Sequence, residues 1–544
     1  MIGFACKYAP AELLAGFDFT FEYAQPRVTA FGQSEGLLYP CMCGYSKALI
    51  DESLRGVWDG LLFTDCCDAM KRAHDVLQRE EYNSFIVGLP RKNDSAAASQ
   101  YARELMRLIK TLEGTMDISF DECRFRAALP NKAESAKVDH VVLLGARLPQ
   151  SLQELCSSLS PLPLIDMTCA GQGRGFDPPP YNIDLEGLLS WYAAQLLGQP
   201  PCMRMADVEI RRSLWENPHC KGIIFHTIKF CDYYGFEYMR IDTEKPVLKL
   251  ETDYTDSSAG QLYTRLEAYF EANKFGVKRK KPMEKKKESQ YFVGIDIGST
   301  STDVVVLDSD RHIVSQSIVA TGVKSGAAAQ IALNEVLKNA GISLKQVQRI
   351  VSTGYGRKAV EFESDNITEI SCHAKGAFTL FSDARTIIDI GGQDSKVIRL
   401  GESGNVIDFA MNDKCAAGTG RFLELMARTL GEELEDFAKM GLFSKEEIRI
   451  SSMCAVFAES EVVSLMAQNK EKNSIIHAIN ASIAGRMKAM CSRLKAEGPY
   501  VMTGGVAMNP GVVQALSEAL SAEIKISPQA QLAGAYGAAL LAME

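Results

Sequence analysis

The sequence predicts an α/β protein in two parts: N-terminal α/β lobes with parallel sheets and a C-terminal domain of two related lobes. Three observations predict it. A strand, Asp-Ile-Gly turn, strand pattern occurs twice, as GIDIGSTSTDVVVLD at 294–308 and IIDIGGQDSKVIRL at 387–400. Cysteines crowd the first half, several directly after strand-like apolar runs such as GLLFTDCC and GIIFHTIKFC. Between the halves, VKRKKPMEKKKESQ at 277–290 is basic and polar without apolar periodicity, as a solvated linker is. The expected domains are therefore 1–135 and 136–276, two α/β lobes, then the linker 277–290 and the two-lobed domain 291–544.

Composition narrows the class. With 46% apolar and 23% charged residues over 544 positions, the chain can bury several cores. A net charge of −9 argues against a nucleic-acid partner. No apolar run reaches the ~18–20 residues that span a bilayer. The N-terminus shows neither a basic n-region nor a long apolar h-region, so a cytoplasmic location without membrane attachment is expected. Eleven of the 15 cysteines precede residue 291. In a reducing compartment that density reads as metal or redox chemistry rather than disulfides.

The second part opens with three strand-like runs, YFVGIDIG, DVVVLD and IVSQSIVAT, which read as a meander. AAAQIALNEVLKNAG has helical periodicity and VQRIVSTG reads as the next strand. The opening pattern then returns, with Asp389 lying 93 positions after Asp296, which points to an internal duplication. Glycine turns let backbone N–H groups approach an anion closely. Gly298, Ser299, Thr300 and Ser301 form one such turn, and Gly391, Gly392 and Gln393 the other. Asp296 suits a hydrated Mg2+ beside phosphate oxygens, while Asp389, Gln393 and Asp394 suit the positioning of water or metal opposite. Gly504 and Gly505 follow the strand-like PYVMT and lead through Asn509 to a helix opened by Pro510, a join suited to nucleobase and ribose. Gly418 and Gly420 precede the helix RFLELMARTL. No P-loop is present, and the turns lead into strands rather than helices, which excludes a dinucleotide fingerprint.

In this order the motifs resemble the actin-like ATPase fold of sugar kinases, Hsp70 chaperones and actin, which holds ATP between duplicated lobes. Cys415 and Cys454 each precede an apparent helix, and a helix N-terminus favours an anionic ligand. Two cysteines make half of a four-thiolate cluster site, and a two-fold homodimer would supply the rest. GIDIGSTST, STGYGR, EISCHAKGA, NDKCAAGTGRFLE, SSMCAVFAESEV and TGGVAMNPG are similar to the motifs of the 2-hydroxyacyl-CoA dehydratase activators and benzoyl-CoA reductase ATPase subunits. That resemblance implies an actin-like homodimer binding ATP/ADP and Mg2+, with one 4Fe-4S cluster at the two-fold held by Cys415 and Cys454 of each copy. Asp303 stands where the family pattern carries Lys.

Residues 1–272 resemble the dehydratase D-component through CDAMKR, GLPRK, TIKFCDYYGFEY and PVLKLETDYTDSSAGQLYTRLEAYFE, with a shortened middle. The resemblance implies a cluster held by Cys43, Cys67 and Cys231. Cys41 and Cys66 are surplus thiols beside two of these, and Cys202 or Cys169 would make a sixth. Six thiolates match the double-cubane relatives, whose cluster is 8Fe-9S, two four-iron cubanes sharing a sulfide. The function expected is ATP-dependent, low-potential electron transfer from the activator cluster to the N-terminal cluster, which reduces a small-molecule substrate. Reduced ferredoxin or flavodoxin is the expected donor. The alternatives are a radical 2-hydroxyacyl-CoA dehydratase component with a built-in activator, and an actin-like or Hsp70-like ATP switch without redox chemistry. His226 reads as a buried strand histidine, His373 as a residue orienting a helix start, and Trp58, Trp191 and Trp215 as packing residues.

Overall fold

The computed structural model describes residues 1–132, 138–171, 174–256, 259–273, 275, 291–412, 416–444, 446–451 and 454–544. The linker 277–290 and Cys415 lie outside the described residues. The chain divides into two compact units, Met1–Leu266 and Glu267–Glu544, the division falling within the helix Ala259–Ala272.

The first unit holds two parallel four-stranded sheets. One contains β1 (Ile2–Phe4), β2 (Phe21–Tyr23), β3 (Gly60–Thr64) and β4 (Ser84–Val87) in the order β2-β1-β3-β4. The other contains β5 (His140–Gly145), β6 (Leu164–Asp166), β7 (Cys220–Ile228) and β8 (Val247–Thr252) in the order β6-β5-β7-β8. Parallel strands covered by helices on both faces bury every side chain, and GLLFT of β3 and HVVLLG of β5 are continuously buried. His226 on β7 is fully buried, its ring contacting Ala146 O at 3.1 Å and Thr252 Oγ1 at 3.0 Å, as a core histidine does. Trp58 and Trp215 are core residues and Trp191 packs at the core edge.

The second unit is built on two five-stranded sheets of the same topology. The first joins β9 (Tyr291–Ile297), β10 (Ser301–Leu307), β11 (Ile313–Ala320), β12 (Val347–Thr353) and β13 (Asp365–Asn366) in the order β11-β10-β9-β12-β13. The second joins β14 (Thr386–Ile390), β15 (Ser395–Leu400), β16 (Val406–Asn412), β17 (Tyr500–Thr503) and β18 (Ile524–Ile526) in the order β16-β15-β14-β17-β18. In both, a three-strand antiparallel meander is extended by two parallel strands. The duplication read from the two Asp-Ile-Gly turns is thus a duplication of whole sheets. The periodic run after the first meander forms the helix Ser325–Ala340, closed by Gly341 in the left-handed region. The step from β17 to the helix Pro510–Leu520 is less direct than the sequence suggested. A short 3-10 turn, Gly505–Met508, intervenes, and Asn509 then caps the helix by accepting from Val512 N at 3.1 Å. Among the described residues, no helix is long and apolar enough to cross a membrane.

Candidate functional site

In the second unit, the two Asp-Ile-Gly turns meet in a cleft of about 680 Å3. Its lining includes Asp296, Gly298, Ser299, Thr300 and Ser301 from the first turn and Asp389, Gly391 and Gly392 from the second. Gly420, Gly504, Gly505 and Asn509 complete the predicted set there, whereas Gln393 and Gly418 lie outside the lining. With its oxygen turned to Arg421, the Gln393 amide accepts from that guanidinium at 3.2 and 3.3 Å. Two glycines are required by close approach. Gly504 has φ +84°, and a Cβ there would meet Ile390 O at 2.4 Å. A Cβ on Gly392 would meet Thr300 Oγ1 at 2.0 Å, so the turns of the two lobes touch at this point.

Charge is concentrated at the floor. Lys396 Nζ, buried on β15, contacts Asp394 at 2.8 Å, Asp389 at 3.2 Å and Glu369 at 3.4 Å. Thr503 Oγ1 donates to Asp389 Oδ1 at 2.9 Å. His373, from the helix Glu369–Leu380, sits between the two catalytic candidates, with Nε2 3.5 Å from Asp296 and Nδ1 3.4 Å from Asp389. Burial lowers its basicity, but Asp389 and Asp296 outweigh burial and hold its pKa at about 9. The reading of His373 as a helix-start orienter therefore gives way to a cationic bridge between the lobes. Burial pushes Asp303 up to about 7, with help from the charge of Asp296, and burial raises Glu369 to about 7 against the pull of Lys396. Asp389 stays low because His373 and Lys396 together outweigh its burial. Such a cleft presents backbone N–H groups and hydroxyls for phosphate oxygens and carboxylates for a divalent cation.

Cys454 is the N-cap residue of the helix Ala455–Ala467 and is exposed. Two and three residues on, Val456 and Phe457 are 65% and 67% exposed, an apolar pair beside an open thiol.

The first unit gathers its thiols at the carboxyl ends of the parallel strands. Cys6 follows β1, Cys66 and Cys67 follow β3, Cys169 follows β6 and Cys231 follows β7. Cys43 caps the helix Gly44–Leu54, and Cys202 lies in the loop after the helix Leu185–Leu197. The Cys66 thiol is hydrogen-bonded to those of Cys6 and Cys67. Cys43, Cys169 and Cys231 act electrostatically on one another, as do Cys6, Cys169 and Cys202. Five of these sulfurs receive backbone N–H groups: Cys6 from Tyr8, Cys43 from Tyr45 and Ser46, Cys169 from Arg147, Cys202 from Arg204 and Cys231 from Tyr234. Burial holds Cys43 at about 11 and Cys231 at about 12, so these are neutral thiols until a metal displaces the protons. Buried Lys7 and Arg147 stand beside them, Lys7 donating to Pro200 O at 2.5 Å and Arg147 N lying 3.2 Å from Cys169 Sγ. A cavity of about 1070 Å3, lined by Cys41, Cys43, Cys67 and Cys231, opens the group to solvent.

The comparisons with known proteins follow the same division. A family model described as the BadF/BadG/BcrA/BcrD ATPase family matches residues 293–542. The (R)-2-hydroxyglutaryl-CoA dehydratase activating ATPase of Acidaminococcus fermentans is 46% identical over 255 residues, covering 97% of that protein and 47% of this chain. The chain belongs to this activator ATPase family. The activator of lactoyl-CoA dehydratase from Anaerotignum propionicum is 45% identical over 254 residues, 98% of its length and 47% of this chain. A solved structure of the 2-hydroxyisocaproyl-CoA dehydratase activator from Clostridium difficile, with bound ADPNP, is 39% identical over 94% of its chain and 46% of this one, at a TM-score of 0.45. The model for the 2-hydroxyglutaryl-CoA dehydratase D-component matches residues 6–165 and 150–273. The protein is thus an activator ATPase, of actin-like two-lobed fold, fused to a D-component-like module.

Of the thiols singled out in that module, Cys43, Cys66, Cys67, Cys202 and Cys231 come together, and Cys41 stands exposed at the cavity mouth. Cys169, the stated alternative to Cys202, joins the group, as does Cys6. The shared signal, a cysteine one to three residues after a strand-like run, was present for both. In the ATPase, the sequence leaves Lys396 unmarked and gives His373 only a helix-start role, because a helix histidine and a strand lysine carry no local mark of a cleft.

Proposed function

We propose that this activator ATPase is an ATP-driven, low-potential reductase that carries its electron acceptor in the same chain. The observation that supports it is the convergence of seven cysteines, five with backbone N–H donors, in the module fused to an activator ATPase. This donor set fits an iron–sulfur cluster: sulfur ligands, amide N–H groups that stabilise anionic sulfur, and the cations Lys7 and Arg147 nearby. It exceeds the three cysteines of one D-component cubane and is enough for a double cubane of the 8Fe-9S type. Clusters held here, and between Cys415 and Cys454 of two copies in a homodimer, would supply one-electron transfer from the activator to the module.

The chain's own residues then divide the work. Asp296 orients a Mg2+ on the nucleotide, and the turns at 298–301 and 391–392 bind its phosphates. Asp389, held by Lys396 and Thr503, and Gln393, held by Arg421, orient the second side of the cleft. Gly504, Gly505 and Asn509 line the nucleoside end. The exposed Cys454, Val456 and Phe457 form part of the face between copies. Reduced ferredoxin or flavodoxin donates the electron, and a small molecule entering the cavity beside Cys43, Cys67 and Cys231 accepts it.

A second reading, a radical 2-hydroxyacyl-CoA dehydratase component, is favoured by the D-component match over 6–273. Iron and acid-labile sulfide per chain, after anaerobic purification, separate the two. A double cubane in each chain plus a shared cubane gives about ten iron per chain, and single cubanes give about six. About two iron would leave only the activator site and remove the reductase reading.

A further inference from the structure

The duplicated sheets provide an internal control for the floor of the cleft. In each antiparallel hairpin the residue seven positions after the Asp of the Asp-Ile-Gly turn stands directly opposite that Asp. In the second copy the pair is Asp389 and Lys396. In the first it is Asp296 and Asp303. The second copy is thus neutralised by its own lysine. The first puts two carboxylates face to face, which costs stability unless a cation lies between or beside them.

Asp303 has no protein cation of its own. It is 6% exposed, it lines the cleft, and its Oδ1 is buried without a hydrogen-bond partner. Ser301 bonds the carboxyl, and Asp296 and His373 are the charged groups acting on it. His373 is already held between Asp296 and Asp389, and Lys396 is held by three other carboxylates. The whole lining carries seven carboxylates against two lysines and His373. A nucleotide triphosphate adds about four negative charges to that surface, and one Mg2+ cancels only two of them.

We infer that Asp303 and Asp296 together seat a second divalent cation in the nucleotide cleft, beyond the one a nucleotide brings. The orphaned Oδ1 of Asp303 and a carboxylate oxygen of Asp296 supply its protein ligands, and phosphate oxygens and water complete the shell, the oxygen environment that Mg2+ and Mn2+ prefer. The first lobe would then obtain from a metal ion the positive charge that the second lobe obtains from Lys396. This rests on the cleft being the nucleotide site, and the test separates the two claims.

The test is equilibrium dialysis of the full-length holoprotein under anaerobic conditions, with Mn2+ as the probe and a labelled, non-hydrolysable ATP analogue. An Asp310→Asn, His312→Ala background removes the exposed Asp308, Asp310 and His312 group, whose ligand atoms lie within 4.8 Å of one another and would compete for the probe. Two Mn2+ per analogue-saturated chain are expected, falling to one in Asp303→Asn with analogue binding retained. One Mn2+ in the unsubstituted cleft overturns the inference even if the variant does not fold. An unchanged count in Asp303→Asn overturns it as well. No analogue bound at all would overturn the nucleotide reading beneath it.

Discussion

The two copies of the hairpin in the ATPase unit share strand order, turn position and an opposed pair seven residues apart, yet solve the charge problem differently. In the second copy Lys396 ties Asp389, Asp394 and Glu369 into one buried network, so the site is complete before any ligand arrives. In the first, Asp296 and Asp303 face each other with His373 as their nearest cation. A fold can thus keep a duplicated backbone while making one half self-sufficient and the other dependent on what it binds. Substitutions that exchange these properties test the contrast directly.

The largest effect is expected from Lys396→Met. It strips the cation from the buried Asp389 and Glu369 and the half-buried Asp394, and breaking a buried ion pair from one side costs about 3–5 kcal/mol. Thermal unfolding followed calorimetrically should show the ATPase transition displaced downward by roughly 6–20 °C, at about 2–4 °C per kcal/mol for a unit of this size. A displacement of only a degree or two would mean the second copy is not held by its lysine.

Asp303→Lys should make the first copy resemble the second. Replacing a like-charged cross-strand pair by an opposite-charged one is worth about 1 kcal/mol. In metal-free buffer the same transition should rise by roughly 2–4 °C. Added Mg2+ is expected to stabilise the unsubstituted protein and should stabilise the variant less. Equal Mg2+ stabilisation in both would remove Asp303 from the cation site.

The smallest effect is a pH dependence. His373 faces Asp296, Asp389 and Lys396, and acts on Asp303 and Glu369. Its folded pKa of about 9 lies above the ~6.5 of an unfolded histidine, so its stabilisation is complete below about 6.5 and lost as pH rises through 9. Asp303 and Glu369 titrate near 7, and burial of Cys372 and Cys491 adds a background fall of the same sign above about 8.5, so the difference between parent and His373→Gln from 7.5 to 9.5 reports the imidazolium. Without nucleotide or metal, the ATPase transition should fall across that interval, and His373→Gln should flatten the fall. A variant that declines as steeply as the parent would assign the titration to another group.

Much of this was legible in the sequence because it is local. The strands around Asp296 and Asp389 announce themselves by apolar runs ending in Asp-Ile-Gly, and the identical strand orders of the two sheets follow from that repeat. Cys43, Cys67 and Cys231 are the positions that the family resemblance implies, and Cys66 stands beside Cys67 in the same short motif. Cys6 and Cys169 sit singly after strands, and only the parallel alignment of β1, β3, β6 and β7 brings their sulfurs to the others. His373 lies one helix away from either aspartate, so its place between them is a property of packing. Lys396 was recoverable, since aligning the two repeats puts it in register with Asp303, the residue already noted as departing from the family pattern.

The contact between the lobes at Gly392 and Thr300 bears on how far the cleft can close. The two turns approach until a single methyl group on Gly392 would lie 2.0 Å from the threonine hydroxyl. The separation of the two lobes at this point is therefore set by an atom that is missing from the chain. A side chain at that position would act as a wedge between the lobes, driving the 391–392 turn away from the Thr300 hydroxyl. How closely the two lobes meet is thus decided at a residue whose contribution to that contact is the space it leaves.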